Sequence, residues 1–214
     1  MRFILSAIHG ELAGESSISL ESHLPHSISS RFSLFNYAIL AGVVLVVLAS
    51  CSVSTEPDYV EVKSRTLRSG DEIPTVAGDT VLALSGGTIG ESRLNADVQL
   101  LESIGTVSYS VNDPYENRPV EYEGVLLESL FDQFGGAAAT GVTITAIDDY
   151  QQVISRVDAE KWPIILALKA DGEYAKRNHR GPSMIIYPYD QYSELEPTKY
   201  DPQWVWQIAG INFN

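Results

Sequence analysis

The sequence predicts an α+β domain in which short strands outnumber helices. Short apolar or alternating runs recur between Thr80 and Ile211, and Gly, Pro, Asn or Asp residues interrupt them. Only a few short segments, chiefly Asn95–Ile104 and Leu126–Phe134, repeat their apolar residues at helical spacing. Many strands with two or three short helices are typical of a single α+β domain.

Eight strands are predicted from apolar runs or from apolar and polar alternation. They are Thr80–Ser85, Thr106–Val111, Val120–Tyr122, Val142–Ile147, Gln152–Val157, Trp162–Lys169, Met184–Tyr187 and Trp204–Ile211. Turns are expected at Asn112-Asp113-Pro114, Asp148-Asp149-Tyr150 and Asp171-Gly172, because these residue types favour tight turns. The first helix has Asn95 as its candidate cap and Gly105 as its stop, and the second stops at Gly135-Gly136.

The charge and the cysteine content exclude several classes of protein. The formal net charge is −14, with 28 acidic against 14 basic residues, so the surface repels phosphate backbones and no nucleic-acid partner is expected. A single cysteine cannot form an intrachain disulfide or a zinc–thiolate cluster. Three of the four histidines precede Cys51, which leaves only His179 after it.

The segment before Cys51 predicts export and membrane attachment. Residues 37–50 form an apolar run of about fourteen residues, shorter than the roughly 20 residues of a membrane-spanning helix but suited to a signal peptide. The run ends Leu48-Ala49-Ser50-Cys51, which resembles the lipobox of bacterial lipoproteins. The alternative is an uncleaved N-terminal anchor with an incidental cysteine. Both interpretations place the chain after Cys51 outside the cytoplasm.

Three regions are therefore expected. Residues 1–50 are a leader and signal peptide, residues 51–79 are a lipidated Cys51 with a flexible tether, and residues 80–214 are the folded domain. The expected location is the periplasmic face of the outer or inner membrane, where a lipid on Cys51 would hold the protein.

Five motifs in order carry a resemblance to a known family. They are VLALSGGTIG, YEGVLLESLFDQFG, Asp148-Asp149-Tyr150, LALKADGEYAKRNHRGPSMIIYP and QWVWQIAGI. Over roughly residues 80–212, the chain resembles the molybdopterin-binding domain of the sulfite-oxidase type of oxidoreductase. The resemblance implies a mixed, strand-rich α+β fold and an ancestral site for molybdenum, which this family holds with a cofactor dithiolene and one cysteine thiolate.

The sequence departs from that family where the cofactor would bind. The resemblance places the metal-binding cysteine between Ser108 and Tyr115, and this stretch has no cysteine. Met184 and Gln203 stand where the family has an Arg and a Lys that contact the pterin. Losing a soft thiolate and two cations predicts that molybdopterin does not bind. A divergent molybdopterin-dependent oxidoreductase with a non-cysteine ligand, such as Ser110 or Asp113, is the alternative.

Candidate ligand-binding residues fall in two loops and a turn. Arg177, His179, Arg180 and Gly181 belong to a basic cluster that predicts an anion pocket, with a solvated loop as the alternative. Gly181 would let the backbone approach a ligand closely, and His179 is either an acid–base group or a loop hydrogen bonder. The remaining candidates are Asp113, Tyr115, Arg118 and Tyr150.

The candidates near Asp113 lie where the resemblance places the active site. Asp113 and Tyr115 follow Asn112 in a turn-like stretch, so turn chemistry is the alternative to a ligand role. We therefore expect a lipid-anchored binding or sensing module, without catalysis, that recognises a small anion or a periplasmic protein. A structural envelope protein is the third hypothesis.

Overall fold

The structure, a computed structural model, describes residues 58–214, and eleven short strands in this range form two sheets. Cys51, the predicted signal peptide and the first part of the predicted tether lie outside the described residues. No helix between residues 58 and 214 combines the length and the apolar character needed to cross a membrane.

The strands and helices are bounded as follows. The strands are β1 Val60–Lys63, β2 Leu82–Gly86, β3 Gly90–Ala96, β4 Thr106–Asp113, β5 Arg118–Leu126, β6 Gly141–Ala146, β7 Gln151–Ser155, β8 Ile165–Ala170, β9 Glu173–Tyr174, β10 Met184–Ile186 and β11 Ile208–Phe213. The α-helices are α1 Val98–Glu102, α2 Leu127–Leu130, α3 Arg156–Lys161 and α4 Pro197–Tyr200. Gly87–Ile89 and Asp201–Gln203 are 3-10 turns, and Phe131–Gly135 is a π turn.

The two sheets are interleaved along the chain. The six-stranded sheet has the order β1-β4-β5-β8-β10, with β9 paired to β8, and all of its pairs are antiparallel. The five-stranded sheet has the order β3-β2-β11-β6-β7, and β11 runs parallel to β2. Because the chain passes repeatedly from one sheet to the other, the sheets cannot be separate domains.

One hydrophobic core joins the sheets. Leu84, Ile144 and Ile211 of the five-stranded sheet belong to the same buried cluster as Val125 and Leu166 of the six-stranded sheet. Burial of each such aliphatic side chain contributes roughly 1.5–3 kcal/mol. The predicted α+β, strand-rich class is confirmed.

Several predicted boundaries differ from the structure. Asn95 lies in β3, and helix α1 begins after Asp97, whose buried carboxylate accepts a hydrogen bond from the Leu100 N–H at 2.8 Å. Asp97 is therefore the N-cap, since it satisfies a backbone donor that the helix leaves free. The segment predicted as helix from Leu126 to Phe134 is a four-residue α-helix followed by the π turn.

Several predicted strands include residues that lie outside the observed strands. Val157 lies in α3, whose N-cap Ser155 accepts a hydrogen bond from the Asp158 N–H at 3.0 Å. Trp204 and Trp206 precede β11, because the backbone turns at Gln207 with a φ of 50°. The two tryptophans are therefore not on one face of a regular strand.

The expected tether, residues 51–79, overlaps the folded unit. Strand β1 pairs with β4, Leu67 is buried, and its N–H donates to the Ser103 carbonyl at 2.8 Å. The Arg65 guanidinium donates to Gln133 Oε1 at 2.8 Å. The short Val60–Lys63 strand lies in a Ser- and Thr-rich stretch, which is why the sequence alone favours a tether there.

Candidate functional site

Two loops that are distant in sequence meet at one end of the six-stranded sheet. The first, residues 114–117, connects β4 to β5, and the second, residues 175–183, connects β9 to β10. Arg180 Nη1 donates to Asp113 Oδ2 at 2.6 Å. The Asp113 side chain is fully buried and that of Arg180 is 14% exposed, so this contact is an interior ion pair.

The Asp113 carboxylate has all its hydrogen-bonding positions engaged within the protein. Oδ1 accepts the backbone N–H groups of Tyr115 at 2.7 Å and Glu116 at 2.8 Å. Oδ2 accepts from Arg180 and from the Tyr122 hydroxyl. Burial opposes ionisation, but the bonds from Tyr122, Glu116 and Arg180 outweigh it and lower the pKa of Asp113. The two backbone bonds at Oδ1 of Asp113 stabilise the turn that follows β4.

The Arg180 guanidinium is directed into the protein. Nη2 lies 3.3 Å from Glu116 Oε1, and the guanidinium carbon lies 4.7 Å from the centre of the Trp206 ring and 5.6 Å from that of Tyr115. Two carboxylates and two aromatic rings thus surround this cation. Arg180 contributes little net positive charge to the anion pocket that the sequence predicts.

Gly181 is needed for a contact within the chain. A Cβ at this position would lie 2.3 Å from the carbonyl carbon and oxygen of Ala175, which is impossible without backbone movement. The sequence predicts that Gly181 lets the backbone approach a ligand closely. In the structure it brings together the two ends of the 175–183 loop, where the Gly181 N–H also donates to the Lys176 carbonyl at 2.9 Å.

A cavity of about 240 Å³ remains beside the Asp113–Arg180 pair, and we call it the charged pocket. Arg118, Lys176 and His179 line it together with Arg180, Glu116 and Asp171. Arg118 pairs with Asp171 at 2.8 Å and with Glu116 at 3.1 Å, and His179 Nε2 lies 2.9 Å from Glu116 Oε1. Within residues 58–214, no carboxylate forms an ion pair with Lys176.

Of the eight predicted candidates, only Arg118, His179 and Arg180 line the charged pocket, and Asp113, Tyr115, Tyr150, Arg177 and Gly181 do not. The Arg177 side chain is exposed and does not line it, while the Arg177 carbonyl accepts from Gln207 Nε2 at 2.6 Å. Tyr150 donates its hydroxyl hydrogen to the Pro202 carbonyl at 2.9 Å. It lines a second cavity of about 460 Å³ with Tyr115, Trp204 and Trp206, which we call the aromatic cleft.

Sequence reasoning missed Glu116, Tyr122 and Trp206 as parts of this arrangement. Tyr122 alternates with exposed neighbours on β5, so its burial was predictable, but its bond to Asp113 depends on the β4–β5 register. No sequence pattern marks Glu116 as part of the site, because acidic residues are common in turns. The two-residue spacing of Trp204 and Trp206 favours the core or one face of a strand over a ligand platform, so the sequence does not place Trp206 in this arrangement.

No family model and no curated protein matches this sequence. Among solved structures, the sulfane dehydrogenase SoxCD from Paracoccus pantotrophus is similar, with a TM-score of 0.48 and 14% sequence identity. The similarity covers 66% of this chain and 40% of that one, so this chain spans less than half of the SoxCD chain that it matches.

The residues present do not fit a molybdopterin group. Residues 58–214 contain no thiol, and no three His, Asp or Glu side chains in this range are placed to share a metal ion. The Asp113 oxygens are occupied, and Met184 is buried in β10. Gln203 accepts a hydrogen bond from the Tyr187 hydroxyl. A soft metal bound through a thiolate would therefore lack its ligand in this part of the chain.

Proposed function

We propose that this protein is a lipid-anchored binding module of the bacterial cell envelope whose charged pocket takes a small anion without catalysing its conversion. One observation carries the proposal: the Asp113–Arg180 pair holds the two loops together and still leaves an open pocket with Lys176 at its edge. The ion pair thus fixes the positions of the two loops. Asp113 and His179, the groups best suited to acid–base chemistry, already have partners within the chain.

The balance of charge around the pocket limits the affinity. Glu116 and Asp171 are already paired with Arg118, so Lys176 can act on an incoming anion without losing an internal partner. Glu173 also lines the pocket and opposes an anion. One unpaired lysine, with weak contributions from cations that are already paired, supports a dissociation constant for the anion on the order of millimolar.

Titration of the full chain in detergent with acetate and with inorganic phosphate tests the pocket. We expect one of them to bind saturably, and we expect Lys176→Gln to weaken that binding by about 10-fold or more, the equivalent of one charge-assisted hydrogen bond. Arg68→Gln removes the same charge from an exposed position outside the pocket, and it should bind as the unaltered chain does.

Two results would contradict anion binding at this pocket. The first is the absence of saturable binding by either anion. The second is an equal loss of affinity in Lys176→Gln and Arg68→Gln, which would indicate a response to net charge alone. Molybdenum bound at one atom per chain, in protein purified from its native host, would instead support an oxidoreductase.

The anchor is tested separately from the pocket. We expect cells that express the full chain to incorporate labelled palmitate into it, and we expect Cys51→Ser to abolish the label and release the protein from membranes. Cys51 is the only cysteine in the chain, so the label has no second thiol to occupy. Membrane retention of an unlabelled Cys51→Ser chain would favour an uncleaved apolar anchor.

A further inference from the structure

The aromatic cleft presents rings that a soluble surface normally buries. Tyr115 and Tyr150 are each 44% exposed, and Trp206 is partly exposed beside them. Trp204, which is 4% exposed, forms the base of the same cleft. A concave group of large aromatic side chains with partial exposure is typical of a binding site.

The rings of the cleft are held in place by their neighbours. Tyr115 and Trp206 meet edge to face, with centroids 4.6 Å apart and planes at 86°. Trp204 stacks on Tyr189 with centroids 5.3 Å apart and planes at 5°. The Tyr150 hydroxyl is fixed on the Pro202 carbonyl at 2.9 Å. Little side-chain freedom is therefore left to lose when a ligand enters.

The charge in the cleft is negative. Asp148 and Asp201 line it, and neither forms an ion pair with a cation of residues 58–214. This differs from the charged pocket, where Arg118 and Arg180 engage the carboxylates. The whole chain carries a net charge of −14, which adds a long-range attraction for cations.

The rings already hold one cation on another side. Arg180 lies over Trp206 and Tyr115, but it does not line the aromatic cleft. Its charge is balanced by Asp113 and Glu116, so it does not repel a second cation strongly. Tyr115 and Trp206 also line the aromatic cleft, and in the described part of the chain the lining of the cleft contains no Arg or Lys.

We propose that the aromatic cleft binds a small organic cation of the alkylammonium or trimethylammonium class. The ring faces would attract the positive group through their quadrupoles, and Asp148 and Asp201 would supply the countercharge. The volume of about 460 Å³ lies within the range of small-molecule sites. An anionic ligand would be repelled here, so this site is distinct in chemistry from the charged pocket.

Choline and its neutral isostere 3,3-dimethyl-1-butanol test the proposal on the full chain, because the two differ chiefly in charge. Tryptophan fluorescence and calorimetry follow the binding, since Trp204 and Trp206 line the cleft. We expect choline to bind saturably and the isostere to bind at least about 10-fold more weakly, the ratio that the cation–π contacts and the carboxylates together would give.

Variants locate the binding. Tyr150→Ala and Asp148→Asn change exposed side chains, and each should weaken choline binding about 5- to 10-fold. Tyr174→Ala removes a tyrosine of similar exposure, 47%, that does not line the cleft, and it should leave choline binding unchanged.

Three outcomes would overturn the proposal. They are a failure of choline to saturate, binding of the isostere as tight as that of choline, and a loss of binding in Tyr174→Ala equal to that in Tyr150→Ala. Equal binding of the two ligands would indicate a merely apolar groove. Tighter binding of a neutral sugar such as glucose would indicate a carbohydrate site instead.

Discussion

The charged pocket and the aromatic cleft are neighbours, because Arg180 of the pocket lies over Tyr115 and Trp206 of the cleft. The two cavities differ in whether their charged side chains have partners. In the charged pocket, every charged residue except Glu173 and Lys176 has an internal partner, as Arg118 has in Asp171. In the aromatic cleft, Asp148 and Asp201 have no cation partner among residues 58–214. The comparison teaches that a conspicuous cluster of charges can serve the fold, while the acids beside a group of partly exposed rings have no cation partner among residues 58–214.

The largest expected effect comes from breaking the interior ion pair. Arg180→Met keeps much of the side-chain volume but leaves Asp113 buried without a cation. Removing one member of a buried pair costs about 3–5 kcal/mol, so we expect the free energy of unfolding to fall by that amount in urea denaturation. Arg118→Gln breaks exposed pairs at the same pocket and should change that free energy far less.

The pH dependence of the unfolding free energy tests whether the loss of stability in Arg180→Met comes from charge. Folding lowers the pKa of Asp113, so its contribution to stability is full above the ordinary aspartate pKa of about 3.9 and is lost as the pH falls through the folded value. The difference in unfolding free energy between the unaltered chain and Arg180→Met should therefore shrink below about pH 4. A difference that stays constant down to pH 2 would assign the loss to packing rather than to charge.

The fold class was predictable because most buried strands are visible in the sequence as short apolar runs. Runs such as Leu82–Gly86 and Ile165–Ala170 are apolar and end in turn residues. Strand β3, with the sequence GESRLNA, was missed because it is an edge strand whose residues are mostly exposed. Helix α3 was missed because its Val157 is 70% exposed and so breaks the amphipathic pattern.

The site was predictable in its residues but not in its pairing. The sequence singled out Asp113 and Arg180 separately, and 67 positions separate them along the chain. Their contact depends on how the 114–117 and 175–183 loops converge, which local patterns do not encode. The same holds for Tyr115 and Tyr150, which come from connections in different sheets and meet in the aromatic cleft.

The smallest expected effect tests the contact between the two sites, where Arg180 of the charged pocket lies over Trp206 of the aromatic cleft. Trp206→Leu removes the ring that lies over Arg180 and also lines the cleft. We expect the free energy of unfolding to fall by about 1–2 kcal/mol, the range of one cation–π contact with some lost packing, and choline binding to weaken as well. Binding of acetate or phosphate at the charged pocket should persist, because Lys176 and Arg118 are untouched. Loss of both ligands together would mean that the two cavities act as one site, and the contrast between them would then fail.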